Sequence, residues 1–301
     1  MQDVSSCPIC TCARVTSFAT TRDAGRELSY LVCRRCGHVF QSPRMSPDEL
    51  DAFYRGDYRL LRQGSEEPIE RDVLAQEARA VVTVRLLGDR LPGVTRHLDV
   101  GSSSGALLEE LRSRYGCDGV GIEPGEAYRR YSDGRGLRIV PDLDQLQEAA
   151  EPPFDLVTAM HVVEHMPDPV ATLTSIRERH MRPGGFLLLE APNLFDHQAF
   201  ELAHLHAFTA SSLRDTVRRA GFRPVWSGVH GGYRSPILRL YITVLAQAEG
   251  RPHPGRYLPF AVFRSRLGRA FGAAKRELFT RRYPDWTWQS PERVLARRNA
   301  R

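Results

Sequence analysis

The stretch from His97 to Leu111, HLDVGSSSGALLEEL, constrains the fold of this 301-residue chain more than any other. A short apolar run ends in an acid, two glycines frame the turn Gly101–Gly105, and an amphipathic segment begins directly after it. This order predicts a buried strand, a tight loop and a helix whose first N–H groups point back across the loop. Such a junction is suited to binding a polar ligand against bare backbone.

The segment around this junction, residues 65–250, alternates helix and strand patterns. It begins with a predicted helix over Glu70–Arg90. Strand patterns follow at His97–Val100, Gly119–Ile122, Arg138–Val140, Leu156–Met160, Phe186–Glu190, Pro224–Ser227 and Leu240–Leu245. Arg179–Gly185 and Arg218–Gly221 place cations before glycine, which predicts helix ends. The alternation predicts an α/β fold, with a parallel sheet covered by helices on both faces.

Residues 1–64 predict a small zinc-ribbon-like module. Two C-x-x-C pairs, Cys7/Cys10 and Cys33/Cys36, are separated by 22 residues. Four thiolates form a tetrahedral Zn²⁺ site, which organises a module too small to have its own core. We therefore expect these four cysteines to hold one structural zinc ion.

Residues 251–301 form a third, basic segment. It carries 13 Lys and Arg against 3 Asp and Glu, a net +10 in a chain whose total is +6. Apolar side chains recur at helical intervals, namely Phe260, Phe263, Leu267, Phe271 and Leu278. We expect a helix over Phe260–Leu278 that packs these side chains on the domain and turns its arginines outward. The alternative is a cap over the substrate entrance or a surface for anionic partners, including weak contact with a membrane surface.

The amino terminus and the cysteines indicate the compartment. The sequence MQDVSSCPIC lacks the basic start and apolar core of a secretory signal, and no apolar run approaches the roughly 20 residues of a membrane span. Paired C-x-x-C motifs fit metal ligation in a reducing cytosol better than a disulfide framework. We expect a cytoplasmic protein without a transmembrane segment.

Two acids at predicted strand ends indicate the ligand. Glu123 lies roughly 20 residues beyond the loop, where a carboxylate accepts hydrogen bonds from both hydroxyls of a ribose. The loop lacks the G-x-G-x-x-G spacing of dinucleotide sites. Asp99, directly before it, would repel a pyrophosphate and attract the ammonium of a methionine moiety. These features favour S-adenosyl-L-methionine over a nicotinamide cofactor, and an oxidoreductase is the weaker alternative.

Three stretches carry a family resemblance. They are Gly119–Pro124, Phe154–Pro169 (FDLVTAMHVVEHMPDP) and Met181–Asn193 (MRPGGFLLLEAPN). Together they resemble class I S-adenosylmethionine-dependent methyltransferases, which have a Rossmann-like sheet, over about residues 70–250. With CPIC and CRRCGHVFQSPRMSPDELDAFY added, the chain is similar to bacterial methyltransferases that carry an N-terminal zinc-binding segment. That group includes sugar C-methyltransferases.

The resemblance implies a set of cofactor-binding residues. These are Asp99, Gly101, Ser102, Ser103, Gly105, Glu123, Asp142, Leu143, Met160 and His161. The family's loop cradles the methionine part, its strand-end acid holds the ribose, and the pair matching Asp142–Leu143 flanks the adenine. Ser103 departs from the family, which has a middle glycine there, and its side chain narrows the approach to the cofactor.

Histidines are the candidate catalytic bases. Methyl transfer from a sulfonium is an in-line displacement that often needs one proton removed, and histidine suits that role near neutral pH. The resembling enzymes place a functional histidine at His165 and a Glu-His pair at Ala203 and His204. His206 is extra and could substitute. The missing glutamate favours a hydroxyl acceptor over carbon.

Other functional classes leave traces in the sequence. His161-x-x-Glu164-His165 matches an inverse zinc-peptidase motif, which needs a continuous helix, but a strand runs into it and prolines follow. A zinc ribbon with a basic tail also fits a nucleic-acid-binding protein or an RNA methyltransferase. The Asn-Pro-Pro-Tyr-type motif expected for base amines is absent, since MHVV stands there. We therefore expect a small-molecule acceptor, such as a carrier- or nucleotide-linked sugar or a natural product, and no specific nucleic acid.

Overall fold

The structure is a computed structural model that describes residues 1–198, 200–255 and 259–299. Its strands are β1 (Val15–Asp23), β2 (Arg26–Cys33), β3 (Val39–Gln41), β4 (Arg96–Val100), β5 (Asp118–Ile122), β6 (Arg138–Val140), β7 (Phe154–Met160), β8 (Met181–Pro192), β9 (His206–Ala207), β10 (Phe222–His230) and β11 (Tyr241–Ala248). Its helices are α1 (Pro47–Ala52), α2 (Tyr58–Gln63), α3 (Glu70–Leu87), α4 (Ala106–Tyr115), α5 (Glu126–Asp133), α6 (Leu143–Glu148), α7 (Pro169–His180), α8 (Ala210–Arg219), α9 (Ala261–Arg282), α10 (Pro284–Thr287) and α11 (Pro291–Asn299). A π-helical segment, Phe53–Asp57, and a 3-10 turn, Val163–His165, complete the described elements.

The larger sheet has the strand order β10-β11-β8-β7-β4-β5-β6. Each of the seven strand patterns in residues 65–250 corresponds to one of these strands, so the α/β prediction is confirmed. Strands β4 to β8 are parallel, but β11 runs antiparallel to β8 and β10 antiparallel to β11. The predicted parallel arrangement holds for β4 to β8 and is wrong at this edge, where β11 is antiparallel to its neighbours. The short connection between β10 and β11 has no crossover helix, so it permits only an antiparallel pair.

Helices cover both faces of this sheet, as the sequence predicted. Every residue of β7 is buried, because the strand is central and covered on both sides. Leu156 packs in one apolar cluster with Leu111 of α4. Its neighbour Val157 points to the other face and packs in a second cluster with Leu173 of α7.

The two predicted helix ends have different outcomes. Helix α8 ends at Arg219, and Gly221 then adopts a positive φ of 84°, as expected for Arg218–Gly221. Helix α7 instead ends at His180 and the chain enters β8 at Met181 with extended backbone. The glycine cap predicted within Arg179–Gly185 is therefore wrong, because strand pairing begins before the chain reaches glycine.

A smaller antiparallel sheet has the strand order β1-β2-β3-β9, and one of the amino-terminal cysteines, Cys33, ends its strand β2. Its fourth strand comes from residues beyond β8, and Val39 of β3 pairs with Ala207. The amino-terminal module is thus completed by a strand of the following segment. A substitution that unfolds the amino-terminal module should therefore also destabilise the larger domain.

The carboxy-terminal segment forms the predicted helix, α9, but the predicted packing direction is wrong. Ala261, Ser265 and Gly272 are its buried residues, whereas the regularly spaced phenylalanines and leucines are exposed. The small side chains allow close approach to the domain, so they rather than the large rings form the packing face. Among the described residues, no helix is long and apolar enough to cross a membrane.

Candidate active site

The loop Gly101–Gly105, called the cofactor loop below, folds by left-handed backbone at alternate residues. Gly101, Ser103 and Gly105 have φ angles of 76°, 49° and 77°. The N–H groups of Gly101 and Ser102 both donate to the Ile122 carbonyl at 2.8 Å, which fixes the loop against β5. Ser103 thus adopts the conformation expected of the family's middle glycine. A residue with a Cβ pays about 1–2 kcal/mol for that conformation.

Glu123 lies at the end of β5 with only 5% of its surface exposed. Its carboxylate accepts hydrogen bonds from the N–H groups of Ser103 and Gly125 at 3.1 and 3.0 Å. Arg59 lies 3.4 Å from both carboxylate oxygens and stacks over the Tyr128 ring at 3.8 Å. A carboxylate held in this way is suited to accept hydrogen bonds from the hydroxyls of a ribose. Arg59 lies where those hydroxyls would bind, and no motif in the sequence predicted this position.

Asp99 is buried beside the cofactor loop in a chain of hydrogen bonds. Its Oδ1 atom lies 2.6 Å from the Thr158 hydroxyl, which lies 2.7 Å from Nε2 of His97. Burial raises the pKa of Asp99 to about 7. When Asp99 is ionised, Thr158 donates to it and His97 must then donate to Thr158. A cationic ammonium placed here would favour the ionised carboxylate.

Helix α3 turns a polar stripe toward Asp99, formed by Gln76, Arg79 and Thr83. Arg79 donates to Gln76 at 3.3 Å, and its Nε finds no hydrogen-bond partner among the described residues. A buried guanidinium with a spare donor is suited to a carboxylate. These residues were missed at the sequence level. Their signal was the spacing of three polar residues on the same face as the buried Ala80.

One cavity of about 260 Å³ brings together six of the predicted catalytic and cofactor-binding residues. Its lining includes Gly101, Ser103, Glu123, Met160, His161 and His165. Tyr54, Tyr58 and Arg59 close it from the amino-terminal side, and none of the described residues of α9 lines it. Asp142 and Leu143 are not among its lining residues. Asp142 instead caps α6 by accepting from the Gln145 N–H at 2.8 Å, so their adenine role stays a prediction.

His161 belongs to a buried network with two glutamates. Its Nε2 atom lies 3.1 Å from Glu190, and its Nδ1 atom lies 3.5 Å from Glu164. Burial and the nearby Arg79 oppose protonation, but the two carboxylates outweigh them and raise the pKa of His161. A histidine stabilised as a cation is a poor proton acceptor, so His161 is better suited to positioning than to general-base catalysis.

His165 is different, because it is held neutral. Its Nδ1–H donates to the Ala203 carbonyl at 2.8 Å, which leaves Nε2 as the acceptor nitrogen, 3.9 Å from Glu164. Burial lowers the pKa of His165 to about 4. The ring also contacts Tyr54 and His204 edge-on, with centroids 5.6 and 4.9 Å apart. His165 is therefore a neutral imidazole at the cavity wall with an acceptor nitrogen.

The other two candidate bases lie differently. His204 is buried next to His165, with Nε2 3.7 Å from Glu201. His206 lies on β9, away from the cavity. Its Nε2–H donates to the Met166 carbonyl at 2.9 Å, and its Nδ1 accepts from His38 at 3.0 Å. Both ring nitrogens of His206 are thus occupied within the fold, so we do not carry it forward as a base.

The four predicted zinc ligands come together. Cys7 and Cys36 place their Sγ atoms 3.7 Å apart, Cys10 and Cys33 place theirs 3.5 Å apart, and all four sulfurs lie within 4.8 Å of one another. Zinc–sulfur bonds of about 2.3 Å in a tetrahedron separate the sulfurs by about 3.8 Å. All four cysteines are buried. The donor set and its spacing therefore fit one zinc ion.

Comparison with known families identifies the domain. The sequence model of a methyltransferase domain family matches residues 73–227, just over half of the chain. The chain belongs to this methyltransferase family. The seven-stranded, Rossmann-like sheet of the larger domain agrees with this assignment.

Curated relatives of this methyltransferase include ubiquinone biosynthesis O-methyltransferases. The one from Cereibacter sphaeroides is 32% identical over 154 residues, which cover 43% of this chain and 61% of that protein. The one from Hahella chejuensis is 36% identical over 110 residues, which cover 34% of this chain and 45% of that protein. The methyltransferase thus spans about half the length of these relatives.

Solved structures share the fold. The 1,6-didemethyltoxoflavin-N1-methyltransferase of Burkholderia thailandensis superposes with a TM-score of 0.54 at 20% identity, over 77% of this chain and 99% of that chain. The cyclase SpnF superposes with a TM-score of 0.50 at 17% identity, over 68% of this chain and 98% of that chain. Because a cyclase shares the fold, the acceptor has to be argued from the site.

Proposed function

We propose that this methyltransferase transfers a methyl group from S-adenosylmethionine to a hydroxyl of a small molecule, such as a sugar or a natural-product intermediate. The observation that carries the proposal is the neutral imidazole of His165 in the same cavity as the cofactor loop and Glu123. When bound, S-adenosylmethionine supplies an electrophilic methyl group on a sulfonium. The acceptor oxygen forms a bond to that carbon as the carbon–sulfur bond breaks, and His165 takes the hydroxyl proton.

Three charged residues would hold the cofactor. Glu123 would accept hydrogen bonds from the ribose hydroxyls. At the methionine end, Asp99 would face the ammonium and Arg79 would bind the carboxylate. Arg59 must leave Glu123 when the ribose binds, because its Nη2 atom contacts the Glu123 carboxylate at 3.4 Å and the Ser103 hydroxyl at 3.3 Å. Binding therefore exchanges one charge-assisted contact of Glu123 for two hydrogen bonds from hydroxyls.

The surroundings of His165 support a role as general base. The Nδ1–H bond to Ala203 fixes the tautomer, so that Nε2 accepts the proton. The Glu164 carboxylate, 3.9 Å away, stabilises the imidazolium that forms. His204 is the second candidate, because its ring lies 4.9 Å from that of His165.

Two observations support oxygen as the methylated atom. Ala203 stands where the resembling sugar C-methyltransferases carry glutamate, so the acid associated with carbon methylation is missing. The curated relatives are O-methyltransferases. Carbon methylation is the second candidate.

We also infer that the four cysteines hold a structural zinc ion. Freshly purified protein should contain one equivalent of zinc, and Cys33→Ser should lose it and melt at a lower temperature. Cys117→Ser, at a buried cysteine outside the cluster, is the matched control and should keep the metal. Zinc-free wild-type protein, or a Cys33→Ser protein with unchanged zinc content, would contradict this inference.

Calorimetry tests cofactor identity. The protein should bind S-adenosylhomocysteine and not NAD(H). Glu123→Ala should weaken that binding by a few kcal/mol, since a hydrogen bond to a charged group contributes about 1.5–3 kcal/mol. Tight NAD(H) binding without a response to S-adenosylhomocysteine would overturn the proposal.

Turnover measurements test the base. His165→Ala should lower kcat about 10²–10⁴-fold while S-adenosylhomocysteine affinity stays near wild type. His204→Ala and the double variant then show which histidine carries the proton. Wild-type turnover in all three would exclude both. The acceptor class is tested by transfer of labelled methyl groups to a panel of hydroxylated small molecules, and transfer to tRNA, rRNA or DNA instead would contradict the proposal.

A further inference from the structure

Helix α9 carries an exposed apolar ridge along its whole length. The ridge consists of Phe260, Phe263, Leu267, Phe271 and Leu278. Phe260 is 81% exposed and Phe271 69% exposed, and Trp286 continues the apolar surface beyond the helix with 76% exposure. Single exposed apolar residues are ordinary, but a row of large apolar side chains along one face marks a contact surface.

The opposite face of α9 prevents the ridge from turning inward. The Ser265 hydroxyl donates to the Gly37 carbonyl at 2.9 Å, and Arg269 donates to the Leu194 carbonyl at 2.7 Å. A Cβ at Gly272 would lie 2.1 Å from the Phe195 carbonyl oxygen. Rotation would bring large rings into this close contact, so the ridge faces outward as a consequence of how the helix is anchored.

Charge decides which partner fits the ridge. Arg264, Arg266, Arg281 and Arg282 are exposed on α9, and residues 251–301 carry a net +10. A second copy of the chain would bring the same positive charge against this surface, which opposes self-association through α9. Anionic lipid headgroups instead complement the arginines, while the acyl boundary accepts the rings. Exposed phenylalanine, leucine and tryptophan beside arginine are the composition of helices that lie in a membrane interface.

We propose that the outward face of α9 docks on an anionic membrane surface, with the ridge inserted at the headgroup–acyl boundary and the flanking arginines on the headgroups. The ridge is separate from the cavity, because none of the described residues of α9 lines that cavity. The inference therefore stands apart from the acceptor and the catalytic base.

Vesicle flotation with the full-length protein tests the proposal. Wild type should float with phosphatidylcholine vesicles that contain phosphatidylglycerol and much less with phosphatidylcholine alone. Phe263→Ser/Phe271→Ser should lower the partition coefficient about 100-fold, the equivalent of losing roughly half of the burial of each ring. Arg264→Glu/Arg282→Glu should lower it about tenfold or more. Ile237→Ser, at an exposed apolar residue elsewhere, is the matched control and should bind like wild type.

A depth-sensitive measurement separates insertion from simple charge attraction. In a Trp226→Phe/Trp288→Phe background, Trp286 is the one remaining tryptophan, and lipid-borne quenchers should reduce its emission on anionic vesicles. Melting temperatures near wild type would show that the serine variants fold, as expected for exposed positions. The proposal is overturned if wild type binds no vesicles or if binding survives the loss of both phenylalanines. It is also overturned if wild type forms a dimer that the ridge variants abolish while lipid binding is unchanged.

Discussion

Helices α4 and α9 both carry regularly spaced apolar residues, and they place them on opposite sides. In α4, Leu107, Leu108 and Leu111 are buried between the helix and the sheet. In α9, the phenylalanines face outward, and alanine, serine and glycine face the domain. The size of the residues on the second face decides between the two arrangements. The second face of α4 carries glutamate and arginine, whereas that of α9 carries small residues that allow close backbone approach.

The two helices also differ in what they do for the protein. The amino terminus of α4 follows the cofactor loop, so burial of its leucines positions Gly105 and the loop relative to β5. Helix α9 joins the amino-terminal module, through Gly37, to the loop after β8, through Leu194. The apolar residues of α4 therefore stabilise the site, and those of α9 remain available to a partner.

Truncating one apolar residue on each helix should give the largest contrast. Leu111→Ala should lower the free energy of unfolding by about 2–5 kcal/mol, because it empties space in the core. Phe271→Ala should change it by less than about 0.5 kcal/mol, because the ring is exposed to solvent. Chemical denaturation followed by circular dichroism measures both. Equal losses would mean that the ridge is packed in solution.

Acid should destabilise the sheet region and spare α9, which contains no histidine. Burial lowers the pKa of His165 to about 4 and that of His97 to about 3. Their contribution to the free energy of unfolding is complete above pH 6.5, the pKa of histidine in the unfolded chain. It is lost as pH falls toward the pKa values of the folded state, and for His165 alone the loss is about 3 kcal/mol. Asp99 has the opposite sign: its pKa is raised to about 7, so it favours the folded state as pH falls.

Thermal melting as a function of pH measures this effect. His97→Gln should flatten the loss of melting temperature below pH 6.5, since one buried neutral histidine is removed. His253→Gln, at an exposed histidine, is the matched control and should follow wild type. A melting temperature that is independent of pH between 6.5 and about 4 would contradict the buried neutral state of these histidines.

The central sheet was predictable because its signals are local. A buried strand, a glycine-framed turn and a strand-end acid are all read from adjacent residues, and β4, the cofactor loop and Glu123 lie where they were predicted. Arg59 was missed because its position depends on Tyr128, which is distant in sequence. The spacing of Gln76, Arg79 and Thr83 shows a polar face on α3, but only the packing of that helix brings Arg79 near Asp99. His206 was predicted near the site, but its pairing with His38 depends on β9 joining β3, which no local pattern shows.

Gly272→Ala sharpens the account of α9. In an exposed helix interior, this change would stabilise by about 1 kcal/mol. Here the added Cβ would lie 2.1 Å from the Phe195 carbonyl oxygen, so we expect the free energy of unfolding to fall by about 1–3 kcal/mol. Ala270→Gly, on the exposed side, is the control and should lose about 1 kcal/mol from helix propensity alone. A stabilised Gly272→Ala protein would show that the small face of α9 is not its packing face.

Ser103→Gly tests the cofactor loop, which precedes α4, and is the substitution for which we expect the smallest change in stability. Glycine removes the cost of left-handed backbone, about 1–2 kcal/mol, but gives back about 0.5–1 kcal/mol through the entropy of the unfolded chain. Stability should therefore change by about 1 kcal/mol or less.

Glycine also removes the Ser103 hydroxyl that Arg59 contacts at 3.3 Å, so Arg59 should leave Glu123 more easily and S-adenosylhomocysteine should bind up to about fivefold tighter. Calorimetry measures the affinity, and Ser102→Gly, one position earlier, is the control that should not tighten it. Weaker binding by Ser103→Gly would mean that the serine side chain itself contacts the cofactor.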